Sequence, residues 1–289
     1  MSKNASNEFD RNQTPDNPQV MLKENFYFSG LLAAEMSCSI IKATNKNPLD
    51  HYYMVDLTVT NADRKLLEEV NHVVMKDRGV ITSVKGAYNL SVRGKEKVQV
   101  ALDFLEVYPI LTGDLAVNRI IVLKTGLAYL KDHRAHRFQE EKTVEIEQLR
   151  TKFRLIKEKG ITDHSFDPIS LDQDSLGYFF AGVIDGEGSF GTKSSGLIKQ
   201  PFFAIAMKDK KIIEALNRFI KYGNVRLRKD GVYHLEINHR SILKDIGEMF
   251  LNKYPLRHER QRERLRILQQ LLNDYTLSSF ESKIQEKMI

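Results

Sequence analysis

Two glutamates stand at matching positions in the chain, each directly after an apolar segment with two small residues four apart. In a helix, that spacing puts both small residues on one face, where a second helix can approach closely. Two such helices paired about a pseudo-two-fold axis would bring both carboxylates together at their C-terminal ends. The glutamates are Glu35 and Glu187, and the small residues of the predicted helix interface are Gly30, Ala34, Gly182 and Gly186.

Two carboxylates placed in this way repel each other and the partial negative charge of the helix ends. A divalent cation would relieve both penalties. Mg²⁺ accepts one or two carboxylates together with phosphate oxygens, and such a site can activate water for phosphodiester cleavage. We therefore predict that Glu35 and Glu187 bind Mg²⁺, for which Mn²⁺ or Ca²⁺ can substitute in binding. Asp185 has Ala33 at its matching position, so we expect it to support structure and not to bind the metal.

The surroundings of the two glutamates are also repeated, which indicates a duplicated domain. The segments that begin at Phe28, Arg64, Gly86 and Tyr108 recur in the same order after 152, 146, 145 and 146 residues. Each copy shows an apolar helix, strands with period-two alternation, a helix, a second strand pair with a turn, and closing helices. We predict a tail at 1–23, subdomains at 24–138 and 176–289, and between them a charged surface helix at 139–159 followed by an extended linker to residue 175.

The segments FSGLLAAEM and FAGVIDGEG resemble the two namesake motifs of the monomeric LAGLIDADG homing endonucleases. The second segment matches the family motif well, whereas the first departs from it at Ala33 and Met36. The acid at the eighth position, which in this family binds the metal, is present in both copies. The resemblance covers residues 25–131 and 176–275. It implies an α+β fold of tandem αββαββα units, whose antiparallel sheets form a saddle over DNA.

Alternation along the strands predicts one buried and one polar face for each sheet. We expect the inward residues to be Val55, Leu57, Val59, Phe203, Ile205, Met207, Val225, Leu227, Tyr233, Leu235 and Ile237. The outward face is rich in hydrogen-bond donors and acceptors, the residue types that read base edges. The predicted DNA-binding residues are Asp56, Thr58, Thr60, Ser83, Lys85, Asn89, Ser91, Arg93, Lys199, Lys208, Arg226, Arg228, His234, Glu236 and Asn238.

The resemblance also implies a basic residue beside the active site, five positions after the Pro of each Tyr-Pro pair. Arg260 holds that position in the second copy, and we predict an electrostatic catalytic role for it. Asp114 holds it in the first copy, where the role is empty unless Arg119 or Lys124 takes it. We interpret His133, His136 and His164 as surface residues, because their spacing with acids does not form a metal set.

Composition limits the partners and the cellular locations that this chain can have. The net charge of +6 and the pI near 9.1 weakly favour a polyanionic partner. The single cysteine, Cys38, excludes a disulfide framework and favours a reducing compartment. The N-terminus lacks the apolar core of a signal peptide, and we expect no membrane association. We expect an intracellular protein, in a mitochondrion or chloroplast if its gene is organellar and otherwise in the cytoplasm.

The main prediction is a monomeric, intron-encoded endonuclease that cuts both strands of a long pseudo-symmetric DNA site. One alternative is an RNA-binding maturase on the same scaffold, which would assist the splicing of its own intron RNA. Another is a DNA-binding relative that has lost cleavage. The two acids favour the enzyme, because a pure binder gains nothing by holding two carboxylates beside a phosphate backbone. The altered first motif favours the maturase.

Overall fold

The computed structural model describes residues 22–44, 51–132, 140–169, 172–195 and 198–287. Most of the predicted tail, together with His133 and His136, lies outside these ranges. Lys23, the last residue of the predicted tail, belongs to a 3-10 turn, Lys23–Asn25, and its ammonium lies 2.9 Å from Asp172.

Each half of the chain repeats one order of elements around a four-stranded antiparallel sheet. The first half has sheet order β1-β2-β4-β3 and the second has β5-β6-β8-β7. The first half comprises α1 Phe26–Glu35, β1 Met36–Thr44, β2 His51–Asn61, α2 Arg64–Val73, β3 Val80–Val84, β4 Ala87–Arg93, α3 Lys95–Val107 and α4 Asp114–Asp132. After α5 Glu140–Lys159, the second comprises α6 Gln173–Glu187, β5 Gly188–Ser195, β6 Ile198–Met207, α7 Lys210–Ile220, β7 Asn224–Leu227, β8 Tyr233–Ile237, α8 Arg240–Glu248, a π-helical turn Met249–Lys253 and α9 Glu259–Lys287. The α+β fold with tandem αββαββα units is confirmed.

Helices α1 and α6 pack against each other at the centre of the molecule. A side chain at Gly30 would place its Cβ 1.8 Å from the backbone oxygen of Phe179, and one at Gly182 would place it 1.9 Å from that of Tyr27. These distances leave room for hydrogen atoms alone, so glycine permits the two backbones to touch. The two contacts are reciprocal, as expected for a pseudo-two-fold axis between the helices.

The second pair of small residues lies at the same interface, nearer the helix ends. A Cβ at Gly186 would meet the Cβ of Ala34 at 2.7 Å and the Cγ of Glu35 at 3.1 Å. Helix α1 ends at Glu35 and α6 ends at Glu187. The close packing of α1 and α6 therefore places both acids at adjoining helix C-termini.

The closing helices are fixed by acids from the opposite half. The carboxylate of Asp209, at the start of α7, accepts hydrogen bonds from the backbone N–H groups of Asp114, Leu115 and Ala116 at 3.1, 2.7 and 3.2 Å. In the other direction, Asp63 at the start of α2 accepts one from the N–H of Glu259 at 3.0 Å. Each acid satisfies otherwise unpaired donors at a helix N-terminus, so the two halves set the position of each other's closing helix.

The sheets bury the face that alternation predicts, with two exceptions. Val55, Leu57, Val59, Phe203, Ile205, Met207, Leu235 and Ile237 are buried, and Val225 and Tyr233 are partly buried. The prediction for Leu227 is wrong: it is 61% exposed, because it ends the edge strand β7. Asp56 lies on the polar face but is only 7% exposed, since neighbouring side chains cover it.

The predicted charged helix is α5, and it is more than a surface element. Ile146, Phe153 and Ile156 are buried as it packs on α4 and on the edge strand β1. The Nε of Arg150 donates to the carbonyl of Ile40 on that strand at 3.0 Å. The helix thus covers an edge that could otherwise pair with another chain. The linker that follows is shorter than predicted, because α6 begins at Gln173 with Asp172 as its N-cap.

Candidate metal centre and nucleic-acid interface

The two acids at the ends of α1 and α6 influence each other's ionisation. Partial removal from water, and then the negative charge of Glu187, raise the pKa of Glu35 to about 8, against a hydrogen bond from Asn61. Partial removal from water also raises the pKa of Glu187 to about 7, and the nearby guanidinium of Arg119 opposes this shift. Mutual repulsion in a partly desolvated place is the condition that a bound cation relieves.

The donor atoms suit a hard divalent cation. The Nδ2 of Asn61 donates to Oε1 of Glu35 at 3.3 Å, which holds that carboxylate in place. Within the described ranges, neither Glu35 nor Glu187 forms an ion pair, so no ion pair has to be broken before a metal binds. No cluster of three or more His, Cys, Asp or Glu side chains suited to a metal occurs in this part of the chain. The protein would therefore supply two carboxylates, and water and phosphate oxygens would complete the shell, as Mg²⁺ accepts.

Asp185 has the supporting role expected of it. Its carboxylate accepts hydrogen bonds from the hydroxyl of Tyr27 at 2.6 Å and from the backbone N–H groups of Arg257 and His258 at 2.6 and 2.9 Å. It is 1% exposed, and burial raises its pKa to about 7. Asp185 links the loop before α9 to both central helices. Its carboxylate therefore has a structural role and not a metal-binding role.

Of the three basic candidates Arg119, Lys124 and Arg260, Arg119 lies beside the acids. A guanidinium nitrogen donates to the carbonyl of Met36, the residue after Glu35, and the guanidinium acts electrostatically on Glu187. Asp114 instead accepts the N–H of Phe166 at 2.8 Å, and Lys124 pairs with Glu106 at 3.0 Å on the surface. Arg119 is therefore the alternative that fits the first half.

Arg260 is exposed near the start of α9, and it forms no hydrogen bond or ion pair with the described residues. Its catalytic role stays a prediction. The next residue, Gln261, is 9% exposed and donates from Nε2 to the carbonyl of Gly188 at 2.6 Å. Gln261 and Asn61 are not among the residues predicted from the sequence. Two sequence signals could have identified them. Gln261 is one residue beyond Arg260 in the count from the Tyr-Pro pair, and alternation along β2 places Asn61 at the strand end that faces α1.

On the polar face of the first sheet, the predicted residues form cross-strand pairs between β2 and β4. Thr60 donates to Oδ1 of Asn89 at 2.8 Å, and Thr58 lies opposite Ser91. Asp56 differs from the prediction, because its carboxylate is 2.8 Å from the Nε of Arg93 and 3.2 Å from the Oγ1 of Thr58. It organises this face and is not an open contact. Ser83, Lys85 and Arg93 remain exposed around the network.

The second sheet carries a polar network centred on Glu236. Its carboxylate pairs with Lys193, lies 3.5 Å from Arg226, and accepts from the Nδ2 of Asn238 at 3.0 Å. Nearby cations, chiefly through Lys193, keep the pKa of Glu236 below its usual value. Arg226 also donates to Nδ1 of His234 at 3.2 Å. Arg226, Glu236 and Asn238 line a groove of about 740 Å³.

Some of the remaining predicted DNA-binding residues are exposed on the surface, and others form contacts within the protein. Lys199 is exposed on β6. Arg228 lies beyond the end of β7 and pairs with Asp230 at 2.7 Å. The ammonium of Lys208 is 3.3 Å from the carbonyls of Lys157 and Glu158, at the C-terminal end of α5. His164 is exposed, as predicted. No helix in the described ranges is both long and apolar enough to span a membrane.

Comparison with known proteins agrees with this architecture. Residues 180–279 match the family model of the LAGLIDADG endonucleases. Comparison with curated proteins finds no match. Among solved structures, the LAGLIDADG homing endonuclease I-LtrWI bound to target DNA is similar over 91% of this chain and 96% of its own, with a TM-score of 0.73 and 19% identity.

Two further structures show the same fold. I-SmaMI, bound to an uncleaved DNA target with calcium ions, has a TM-score of 0.71 at 17% identity over 88% of this chain and 93% of its own. The LAGLIDADG meganuclease I-CpaMI, bound to uncleaved DNA, has a TM-score of 0.71 at 16% identity over 90% of this chain and 97% of its own. At these identities, the likeness establishes the fold.

Proposed function

We propose that this chain, which has the LAGLIDADG homing endonuclease fold and matches that family's model over residues 180–279, is a site-specific DNA endonuclease. One observation carries the proposal. Helices α1 and α6 touch through Gly30 and Gly182, and this contact holds Glu35 and Glu187 at adjoining helix ends. A protein that only bound nucleic acid would gain nothing from two coupled carboxylates facing a polyanion.

In this proposal Glu35 and Glu187 hold a divalent metal, preferably Mg²⁺, which activates water and stabilises the leaving oxygen when it is bound. Glu35 is oriented by the amide of Asn61. Arg119 contributes positive charge beside the acids, where the phosphate gains negative charge during cleavage. The backbone contacts between α1 and α6 keep both acids fixed, so little reorganisation accompanies the reaction.

Double-stranded DNA is the proposed substrate, and the polar sheet faces are its proposed binding surface. The structural neighbours are bound to DNA targets. The networks around Asp56 and Glu236 present fixed donors and acceptors, as direct readout requires. Because both halves of the site lie in one chain, we propose that the protein acts as a monomer on a pseudo-symmetric target. Intron encoding and an intracellular location remain proposals from the sequence.

The test is to incubate the purified protein with duplex DNA that carries the insertion site of its own intron, with Mg²⁺ or with EDTA. We expect a discrete double-strand break that requires the metal. A duplex of the same length with a scrambled site is the matched control. Tight binding without any cut, in Mg²⁺ and in Mn²⁺, would overturn the endonuclease and favour the maturase or the non-cleaving binder. A splicing assay with the intron RNA would then separate those two.

A further inference from the structure

On the polar face of the first sheet, a nearly buried carboxylate is bound by side chains from three adjacent strands. Asp56 of β2 lies opposite Ser39 of β1 and Arg93 of β4. Its oxygens accept hydrogen bonds from Oγ of Ser39 at 3.5 Å, Oγ1 of Thr58 at 3.2 Å and Nε of Arg93 at 2.8 Å. The side chain of Asp56 is 11% exposed, whereas that of Arg93 is 60% exposed. The carboxylate is therefore fixed within the sheet, and the guanidinium bound to it lies at the surface.

The hydrogen bond from Nε determines how the guanidinium of Arg93 is oriented. A guanidinium is planar, so fixing Nε also limits the directions of the two terminal nitrogens. Those two nitrogens form no hydrogen bond with the residues that the structure describes. In the major groove, guanine presents two neighbouring acceptors, O6 and N7, whereas adenine presents one acceptor and one donor. Two parallel N–H donors therefore match guanine and not adenine.

The position of Arg93 in the sheet favours a base contact over a phosphate contact. The sheet order is β1-β2-β4-β3, so Asp56 and Arg93 lie on the two central strands. A sheet that follows the major groove has its central strands over the base edges and its outer strands nearer the phosphates. A carboxylate close to a phosphate would also repel it, but a base edge carries no net charge.

We propose that Arg93, oriented by Asp56, recognises one guanine in the half-site that the first sheet covers. This inference rests on the proposed endonuclease function and concerns the sequence of its target. Asn61 contacts Glu35, and Asp56 precedes Asn61 by five residues on β2. Five residues of strand span about 17 Å, which corresponds to about five base steps along DNA. The guanine should therefore lie about 4–6 base pairs from the centre of the target.

The second sheet has no equivalent of this pair among its described residues. At the two matching positions it has Phe202 and Asn238, which are an aromatic ring and a neutral amide. Arg226 lies on the edge strand β7, and its Nε already donates to Nδ1 of His234. The guanine is therefore expected in one half-site only, and the target should depart from two-fold symmetry at this position.

The experiment begins with selection of bound duplexes from a pool with a randomised core, using the full chain in Ca²⁺. Binding is then measured without any need for cleavage. We expect the recovered duplexes to share a guanine in one half only, about 4–6 base pairs from the centre. Replacing that G·C pair by A·T in the selected duplex should weaken binding about 5- to 150-fold, as loss of one bidentate contact does.

Three variants test the role of the pair through the ratio of affinities for the G·C and A·T duplexes. Arg93→Ala should bring this ratio close to one, whereas loss of a phosphate contact would weaken both duplexes equally. Asp56→Asn should lower the ratio but strengthen binding to duplexes of unrelated sequence, because it removes a negative charge beside DNA. A purely structural role of Asp56 would weaken binding to every duplex. Arg64→Ala is the matched control on α2, which packs on the buried face of the sheet, and it should leave the ratio unchanged.

The ratio is the deciding quantity, because loss of folded protein lowers the apparent affinity for both duplexes alike. If Arg93→Ala does not fold, the double variant Asp56→Asn with Arg93→Ala leaves no unpaired charge and should also give a ratio close to one. Selected duplexes without the guanine, or a guanine preference that survives these variants, would overturn this inference and leave the endonuclease intact. Recovery of no common sequence at all would overturn the proposed function together with this inference.

Discussion

The contact between α1 and α6 allows a quantitative prediction at Gly182. Substitution by Ala would place a methyl carbon 1.9 Å from the backbone oxygen of Tyr27 and 2.6 Å from the backbone nitrogen of Leu31. Cβ atoms essentially never come closer than 3.0 Å, so the helices would have to separate by roughly 1 Å. Overpacking of this kind costs about 1–3 kcal/mol, and the backbone obstacle places it at the upper end. The higher helix propensity of Ala relative to Gly stabilises the helix by about 1 kcal/mol. We expect a net loss of about 2 kcal/mol.

Urea unfolding of Gly182→Ala and of the native protein measures this difference. The matched control is Gly191→Ala, where the added carbon would lie 3.4 Å from the ring of Phe202 in ordinary contact. We expect its unfolding free energy to stay within about 0.5 kcal/mol of the native value. The separation should also misplace the motif glutamates, so cleavage should fall more than DNA binding. A Gly182→Ala protein that unfolds at the native urea concentration would refute the close helix contact.

Four further predictions follow from the same geometry. The pKa values of about 8 and 7 for Glu35 and Glu187 mean that a metal must displace protons near neutrality, so Mg²⁺ affinity should rise from pH 6 to pH 8.5. Titration calorimetry should show proton release, and a pH-independent affinity would contradict the site. The folded pKa of Glu35 lies above its unfolded value, so its ionisation removes stability as the pH rises from about 4.5 through 8. Metal-free Glu35→Gln should therefore be more stable than the native protein by about 2 kcal/mol at pH 8.5, after discounting for partial exposure, with no gain at pH 4. Asp209→Ala should lower the unfolding free energy by about 1–3 kcal/mol, because it unpairs three N–H groups of α4, and equal unfolding midpoints would argue against this cap. Arg226→Ala and Arg228→Ala should each weaken DNA binding in one half-site only; footprinting with uniform losses across unrelated sequences would make both residues phosphate contacts.

Features that depend on local spacing could be predicted from the sequence. Small residues four apart share a helix face wherever the helix lies, so Gly30 and Gly182 identified the central contact. The repeat then placed both glutamates at equivalent ends. Alternation along a strand also depends only on local spacing, so it correctly predicted the buried face of β2, β6 and β8. Asp185 was assigned a supporting role because its counterpart is Ala33, and its three hydrogen bonds agree.

Features that depend on long-range contacts could not be predicted in this way. The exposure of Leu227 follows from the edge position of its strand, which alternation does not reveal. Arg93, from another strand, covers the carboxylate of Asp56. Gln261 reaches the carbonyl of Gly188 across 73 residues of chain, and a count from Tyr-Pro pointed to its neighbour Arg260. The high charge of α5 indicated a surface helix and not one that packs on β1, although three apolar residues of α5 form a buried stripe.

The central claim is that Glu35 and Glu187 together carry out metal-dependent cleavage. Its most direct test measures binding and cleavage of one DNA target by Glu35→Gln and Glu187→Gln in Mg²⁺. Glutamine keeps the shape of the side chain and removes the charge that the metal needs. We expect both variants to bind DNA as tightly as the native protein and to lose cleavage by at least ~10³-fold. Cleavage at near-native rates by either variant would contradict it.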